Sequence, residues 1–231
     1  MEIKAGMKIS NMNNLRTSTE TRKYGVVGGL LFRGEDQFLV TCYHCVWCDG
    51  LSWDSFNNEQ NIEKTKVGIF DGDWYQLIGH IEYAVRDEFA DLALIKIDKE
   101  QNVEIIEQNL LNCLNHAKPP ERDYSDTILN IRGVNGRCKF GIFSGYQNRV
   151  KFEYEQEEHS FSELITISQN GIFFDEPFAV KGESGSFIKC GTDEIIGILL
   201  GADEENKTFF ALPYQAIKNT INQWLNQDII S

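Results

Sequence analysis

The chain has 231 residues and a formal net charge of −13, from 35 acidic and 22 basic residues. That balance argues against nucleic acid, because phosphate binding needs a basic footprint, and no lysine or arginine cluster makes a local exception. With 42% hydrophobic residues and four prolines the composition is that of a globular protein with a real core, and no stretch reaches the ~18 apolar residues of a membrane helix.

The length allows one domain or two small ones. Met1 to Lys8 lacks the apolar run of a secretory signal, which predicts a cytoplasmic protein. The acidity reads first as solubility. A cleft of that sign would also draw basic peptides.

Residues 1 to about 23 are polar and weakly patterned and read as an arm or first loop. Gly25 to Phe32 reads as a first barrel strand, Gly34-Glu35-Asp36 as a turn, and Phe38 to Thr41 as the strand pairing back. Cys42, Cys45 and Cys48 follow as Cys-x-x-Cys-x-x-Cys around His44. Structural zinc and thioredoxin-like pairs both use that spacing. A zinc site needs a fourth ligand, however, and a metal on His44 would disable that residue as a base. The expectation is therefore no metal and no cofactor, with the thiols filling core gaps and a loop.

Val67 to Ile97 is a series of short apolar runs broken by turns, the spacing of a small antiparallel barrel. Residues 100 to 116 suit a short helix, and Lys118-Pro119-Pro120-Glu121-Arg122 breaks the pattern as a link between two halves. The strand texture then returns at Thr127 to Arg132, Lys139 to Phe143, Arg149 to Tyr154 and Leu164 to Ser168. Glu155 to His159 reads as a solvated loop. Tyr214 to Ile230 places Ile217, Ile221, Trp224 and Leu225 on one face of a helix.

Three segments carry chemistry. In Gly182-Glu183-Ser184-Gly185-Ser186 a serine stands on a tight turn between apolar runs, and the turn can aim the Gly182 and Ser184 N–H groups at one point, where an oxyanion would develop. A plain strand-connecting turn reads equally well from this segment alone. A serine nucleophile needs a base, itself held by a third group. His44 follows an apolar strand-like run, and Asp91 opens another in Asp91-Leu92-Ala93-Leu94-Ile95. A desolvated carboxylate there needs hydrogen bonds, which an imidazole N–H would supply.

The order His44, Asp91, Ser184 and these contexts resemble the trypsin-like (chymotrypsin-fold) serine proteases. That family carries a Thr-x-x-His-Cys-Val-like segment, an Asp-Leu-Ala-Leu-like strand and a Gly-Asp-Ser-Gly turn. Glu194 to Gly201 is similar to its cleft-lining strand, and Phe209 to Pro213 followed by a helix is similar to its ending. The resemblance covers roughly residues 24 to 231. It implies an all-β fold of two antiparallel six-stranded β-barrels with the active site between them and a C-terminal helix. Residues 1–231 would form a single peptidase domain, with barrels at about 24–117 and 123–212 and the helix at about 213–229.

Several departures refine the resemblance. Many secreted members bridge the cysteine after the catalytic histidine to one near positions that are Gly29 and Leu30 here, so Cys45 lacks that partner and free thiols fit a reducing compartment. Glu183 replaces the usual aspartate, and Val26 lies too close to His44 to be a freed mature N-terminus. The chain thus looks nearer the non-zymogen HtrA-type and bacterial trypsin-like peptidases, with Glu183 holding a lysine or arginine or facing solvent.

Carried over residue by residue, the resemblance implies His44, Asp91 and Ser184 as catalytic and Gly182 with Ser184 as oxyanion donors. Phe178, Ala179, Leu200, Gly201, Ala202 and Thr208 would line the substrate pocket. That pocket holds no carboxylate and so predicts cleavage after small or medium apolar residues; a slip of one or two residues around Pro177 would instead bring in Asp175 or Glu176 and favour basic ones. The expected function is a serine endopeptidase acting through an acyl-enzyme on a limited set of cytoplasmic proteins or peptides, with no nucleic-acid or membrane partner and room for a regulatory partner protein. The alternative is a catalytically silent trypsin-like domain that binds a peptide along the cleft strand.

Overall fold

Short apolar runs separated by glycine and charged turns fold here as antiparallel strands in two sheets. The computed structural model describes residues 2–15, 23–51, 62–72, 74–101, 112–117, 120, 123–154, 157–169, 177–191, 194–203 and 205–226. The first sheet is built from β1 (Lys8–Asn11), β2 (Gly25–Val26), β3 (Gly29–Arg33), β4 (Asp36–Thr41), β5 (Lys66–Asp71), β6 (Trp74–Arg86), β7 (Asp91–Ile97) and β8 (Asn112–Cys113). Their order is β2-β1-β5-β6-β7-β4-β3-β8, so the two-residue strands β2 and β8 extend a six-stranded antiparallel sheet at its two edges. Three single-turn helices, α1 (Met12–Leu15), α2 (Tyr43–Val46) and α3 (Ile62–Thr65), lie between strands.

The second sheet closes into a barrel in the order β10-β11-β14-β13-β12-β9. Its strands are β9 (Ile128–Arg132), β10 (Cys138–Tyr154), β11 (Glu157–Ser168), β12 (Phe187–Cys190), β13 (Glu194–Asp203) and β14 (Thr208–Pro213). A closing helix, α4 (Tyr214–Leu225), buries Tyr214, Ile217, Ile221 and Leu225, spaced three or four residues apart as one helical face requires. Each such burial contributes roughly 1.5–3 kcal/mol. On the same helix Trp224 stacks on Tyr83 of β6, ring centroids 5.7 Å apart, and so ties the C-terminus to the first sheet. The fold is all-β with a C-terminal helix and is chymotrypsin-like.

Several sequence expectations need correction. Lys8–Asn11 is not an arm but the strand β1, paired on both sides with β2 and β5, so the first sheet begins well before residue 24. The expected single strand from Gly25 to Phe32 is two strands, β2 and β3, that pair with different partners. Lys139–Phe143 and Arg149–Tyr154 are parts of one strand, β10, bent by a bulge between Phe143 and Gly145 rather than interrupted. Glu157 to His159 continue that hairpin as β11 instead of forming a loop, in register down to Tyr154 and Glu157. The helix expected over 100–116 lies mostly outside the described residues, and its described end is β8 followed by a 3₁₀ turn at Leu114–His116. Of the breaker, only Pro120 is described. Helix α4 ends at Leu225, with Asn226 in the left-handed region (φ 50°), and residues 227–231 lie outside the description.

Candidate active site

Strand β4 delivers the chain into α2, with Cys42 still extended (φ −73°, ψ 145°). The single turn buries Tyr43, Cys45 and Val46 and leaves 12% of the His44 side chain exposed. Strand β7 begins at Asp91, which is fully buried. Its carboxylate holds His44 twice. Oδ2 lies 2.6 Å from the ring Nδ1, and Oδ1 accepts the His44 backbone N–H at 3.1 Å. Because an ionised carboxylate only accepts, Nδ1 carries a proton, and Nε2 is the nitrogen left for other partners.

Arg86, at the end of β6 in register with Asp91, is also fully buried, with Nε 3.8 Å from Asp91 Oδ2. Burial pushes the Asp91 carboxyl up, but the His44 imidazole, the Arg86 guanidinium and the His44 N–H outweigh it and hold it below the usual carboxylate range.

Nε2 of His44 faces Cys45 Sγ at 3.5 Å. Burial pulls the imidazole down, but the neighbouring Cys45 and Asp91 charges outweigh it and hold His44 up at about 10. Burial pushes the Cys45 thiol up, while contacts with Cys42 and His44 bring it down to about 6. Cys42, deeper in the core, donates to the Leu199 carbonyl at 3.3 Å and is pushed well above the usual thiol range by burial. Cys42, Cys45 and Cys48 are all buried, and all six cysteines are free thiols.

The serine turn is fixed from several sides. Gly182 has φ 90°, a conformation that costs other residues dearly, and Tyr24 packs where a side chain would stand. Glu183 is almost fully buried and accepts three hydrogen bonds: from Val180 N–H (2.8 Å), Val134 N–H (3.0 Å) and Lys139 Nζ (2.8 Å). The expected lysine partner is thus Lys139, on β10. The Ser184 carbonyl accepts Val26 N–H of β2 at 2.9 Å, and Gly185 N–H donates to Leu199 O at 2.9 Å. Among the described residues the N–H groups of Gly182 and Ser184 meet no protein acceptor.

The structure therefore brings His44 and Asp91 into direct contact and sets Ser184 on the adjoining turn, where Cys45 Sγ lies 3.5 Å from the Ser184 carbonyl. Among the described residues the Ser184 hydroxyl donates to the Leu200 carbonyl at 2.8 Å rather than to His44.

A cleft of about 490 Å³ opens beside Ser184. Ala179, Leu200, Gly201 and Ala202 line it as expected, together with Leu199, Phe152 and Phe209. Two pocket assignments are corrected. Phe178 is fully buried in the barrel core, packed edge-to-face on Phe209 at 5.4 Å, because its side chain points away from the cleft into the sheet. Thr208 does not line the cleft either; its hydroxyl turns back to the Asn206 carbonyl at 3.3 Å, and the neighbouring Lys207 takes its place. Lys181 is the second cation in the lining, which contains no carboxylate among the described residues.

Sequence reasoning missed Arg86, Cys45 as the neighbour of Nε2, and the two cleft lysines. An arginine closing the strand-like stretch Ile81 to Val85 was the available signal for Arg86.

No family model matches the sequence, and no curated protein matches it. Solved structures do. Alpha-lytic protease homolog N4 superposes with a TM-score of 0.59 at 15% identity, covering 96% of this chain and 98% of that one. Nocardiopsis protease gives 0.55 at 15% identity over 97% of each chain. The active form of the Rv3671c protease from M. tuberculosis gives 0.56 at 14% identity, over 94% of this chain and 79% of that one. The chain thus has the fold of the chymotrypsin-like bacterial serine proteases. At such identities the likeness is one of fold.

Proposed function

We propose that the protein is a serine endopeptidase, a single peptidase unit over residues 1–231 that cleaves a limited set of cytoplasmic proteins or peptides. The observation that carries this reading is His44, clamped through ring and backbone by Asp91, with Cys45 Sγ in contact with both its Nε2 and the Ser184 carbonyl. The Ser184 Oγ proton passes to His44 Nε2 as Oγ attacks the scissile carbonyl carbon. The oxyanion is held by the N–H groups of Gly182 and Ser184, each worth about 3–4 kcal/mol. The imidazolium then protonates the leaving amine, and water repeats the steps in reverse on the acyl-enzyme.

The His44–Cys45 pair shares a proton, as thiolate with imidazolium or thiol with imidazole, and only the second form contains a base. Labelling with a fluorophosphonate tests the reading: Ser184 should be modified, and a Ser184→Ala protein should not. No labelling of the native chain would overturn it.

A second reading has its own support. With Ser184 Oγ bonded to Leu200 O and Nε2 facing Cys45, the resting arrangement is disengaged. A domain that binds a peptide along β13, with or without a regulatory partner that realigns Ser184, fits that arrangement. Apo hydrogen bonds in working sites are commonly slack as well, and the clamped imidazole favours the enzyme.

A further inference from the structure

The Cys42, His44 and Cys45 side chains leave a chemical question that the proposed hydrolysis does not use. Sγ of Cys42, a ring nitrogen of His44 and Sγ of Cys45 all lie within 4.8 Å of one another, the one such trio of metal-ligating atoms among the described residues. Two soft thiolates and an imidazole are a zinc donor set. Tetrahedral bonds of ~2.3 Å to sulfur and ~2.0–2.1 Å to nitrogen put bound S and N ~3.6 Å apart and two sulfurs ~3.8 Å apart. Cys45 Sγ and His44 Nε2 already stand at 3.5 Å.

The surroundings fit as well. Asp91 holds Nδ1–H at 2.6 Å, the carboxylate–histidine arrangement that orients a metal-binding imidazole and makes it a better donor. Gly25 packs against Cys45 Sγ so closely that any side chain there would collide with it, which fixes the thiol beside Nε2. His44 is the one partly exposed member of the trio, 12% of its side chain, and Cys45 Sγ stands 3.5 Å from the Ser184 carbonyl; a fourth ligand would be water or a substrate group.

We infer that Cys42, His44 and Cys45 form a site for a soft divalent metal ion, Zn²⁺, and that occupancy switches the enzyme off by taking Nε2. The inhibitory half rests on the peptidase reading above; the binding half does not. Binding is an acid–base step without redox change: Zn²⁺ replaces two protons, that of Cys42 and the one His44 and Cys45 share, which leave to solvent, and the deprotonated imidazole donates its Nε2 lone pair. The sequence expectation that the thiols merely fill space becomes a reversible brake on the base.

The test uses the full chain, stripped of metal and kept reduced with a phosphine. Titration with Co²⁺ should give thiolate-to-cobalt charge-transfer absorption and tetrahedral visible bands that saturate at one equivalent. The bands should be lost in Cys42→Ala and Cys45→Ala separately, and the charge-transfer band should change in His44→Ala. Circular dichroism identifies any variant that fails to fold, and the remaining ones still decide. On casein, one equivalent of Zn²⁺ should cut hydrolysis by tenfold or more, restored by chelator. No saturable band, or an unchanged band in the folded cysteine variants, overturns the site. A cobalt spectrum without zinc inhibition of an active protein overturns Nε2 as a ligand. If the metal-free protein hydrolyses nothing and takes no fluorophosphonate, the peptidase reading fails, and the cobalt spectrum still decides the metal site.

Discussion

Lys139 and Glu183 form an ion pair at 2.8 Å with 9% and 1% of their side chains exposed, joining β10 to the turn that carries Ser184. The Glu183 carboxylate also gathers the N–H groups of Val180 and Val134, so one buried anion shapes the whole turn. In zymogen-type trypsin-like proteases, the family resemblance assigns the corresponding acid to a freed N-terminus; in this structure Glu183 pairs with an internal lysine.

Replacing Lys139 by methionine leaves Glu183 buried without its counter-ion. Removing one partner of a buried pair costs about 3–5 kcal/mol, so Lys139→Met should lower stability by about 3 kcal/mol. The double variant with Glu183→Gln should recover part of the loss. Chemical denaturation of the three proteins checks this. A change under about 0.5 kcal/mol in Lys139→Met would show that the pair is not holding the turn.

Ser184→Ala and His44→Ala should each abolish casein hydrolysis; Ser184→Ala should leave the thermal midpoint nearly unchanged, while His44→Ala, which strips buried Asp91 of its partner, should lower it without unfolding the protein. The members of a triad act as a unit, and loss of either should cost nearly all of the rate. Full turnover by the Ser184→Ala protein is incompatible with a serine nucleophile.

The pH profile should expose Cys45. The fold raises His44 to about 10 and lowers Cys45 to about 6, so the thiolate–imidazolium pair is favoured between those values. For His44 the sign is that of a raised group: its contribution to stability is full below the free value of ~6.5 and is lost as pH rises through about 10. Cys45 is the opposite case, its contribution being lost as pH falls through about 6. Cys45→Ala removes the largest influence that raises His44. The acid limb of kcat/KM, measured with chelator present, should therefore move to lower pH by at least about one unit. An unmoved limb would show that Cys45 does not charge the base.

Cleavage after lysine or arginine should be disfavoured at least about tenfold relative to leucine or methionine, because the cleft contains Lys181 and Lys207 and no carboxylate among its described lining residues. Lys207→Glu should relax that discrimination. Sequencing the cuts made in a proteome-derived peptide library gives the answer, and predominant cleavage after basic residues in the native protein would refute the pocket assignment.

What the sequence made legible was local. Tyr43-His44-Cys45, the start of β7 at Asp91 and the Gly182–Ser186 turn each keep their geometry within a few residues, so their order already pointed to the fold. The partners of those residues were hidden, because they come from register. Arg86 meets Asp91 only through the pairing of β6 with β7, and Lys139 reaches Glu183 only because β10 passes beside the turn. Phe178 was misplaced for a related reason. Counting residues back from Ser184 fixes its distance along the chain but not which side of the sheet it faces. Strand β1 escaped notice because its polar Ser10 and Asn11 are buried on hydrogen bonds to distant backbone, including Asn11 Nδ2 to the Val46 carbonyl at 3.1 Å.

The hydrogen bond from Val26 N–H to the Ser184 carbonyl has a bearing on biosynthesis. A chain emerging from the ribosome displays His44 and Asp91 long before Ser184 exists. The turn is then set by a strand made near the beginning and by Leu199 and Leu200 made near the end. Helix α4 docks on Tyr83 later still. The Ser184 turn is therefore complete only with the last few dozen residues. On the peptidase reading, a product that stalls before Ser184 displays the base and its clamp with no nucleophile, and cannot cut its neighbours.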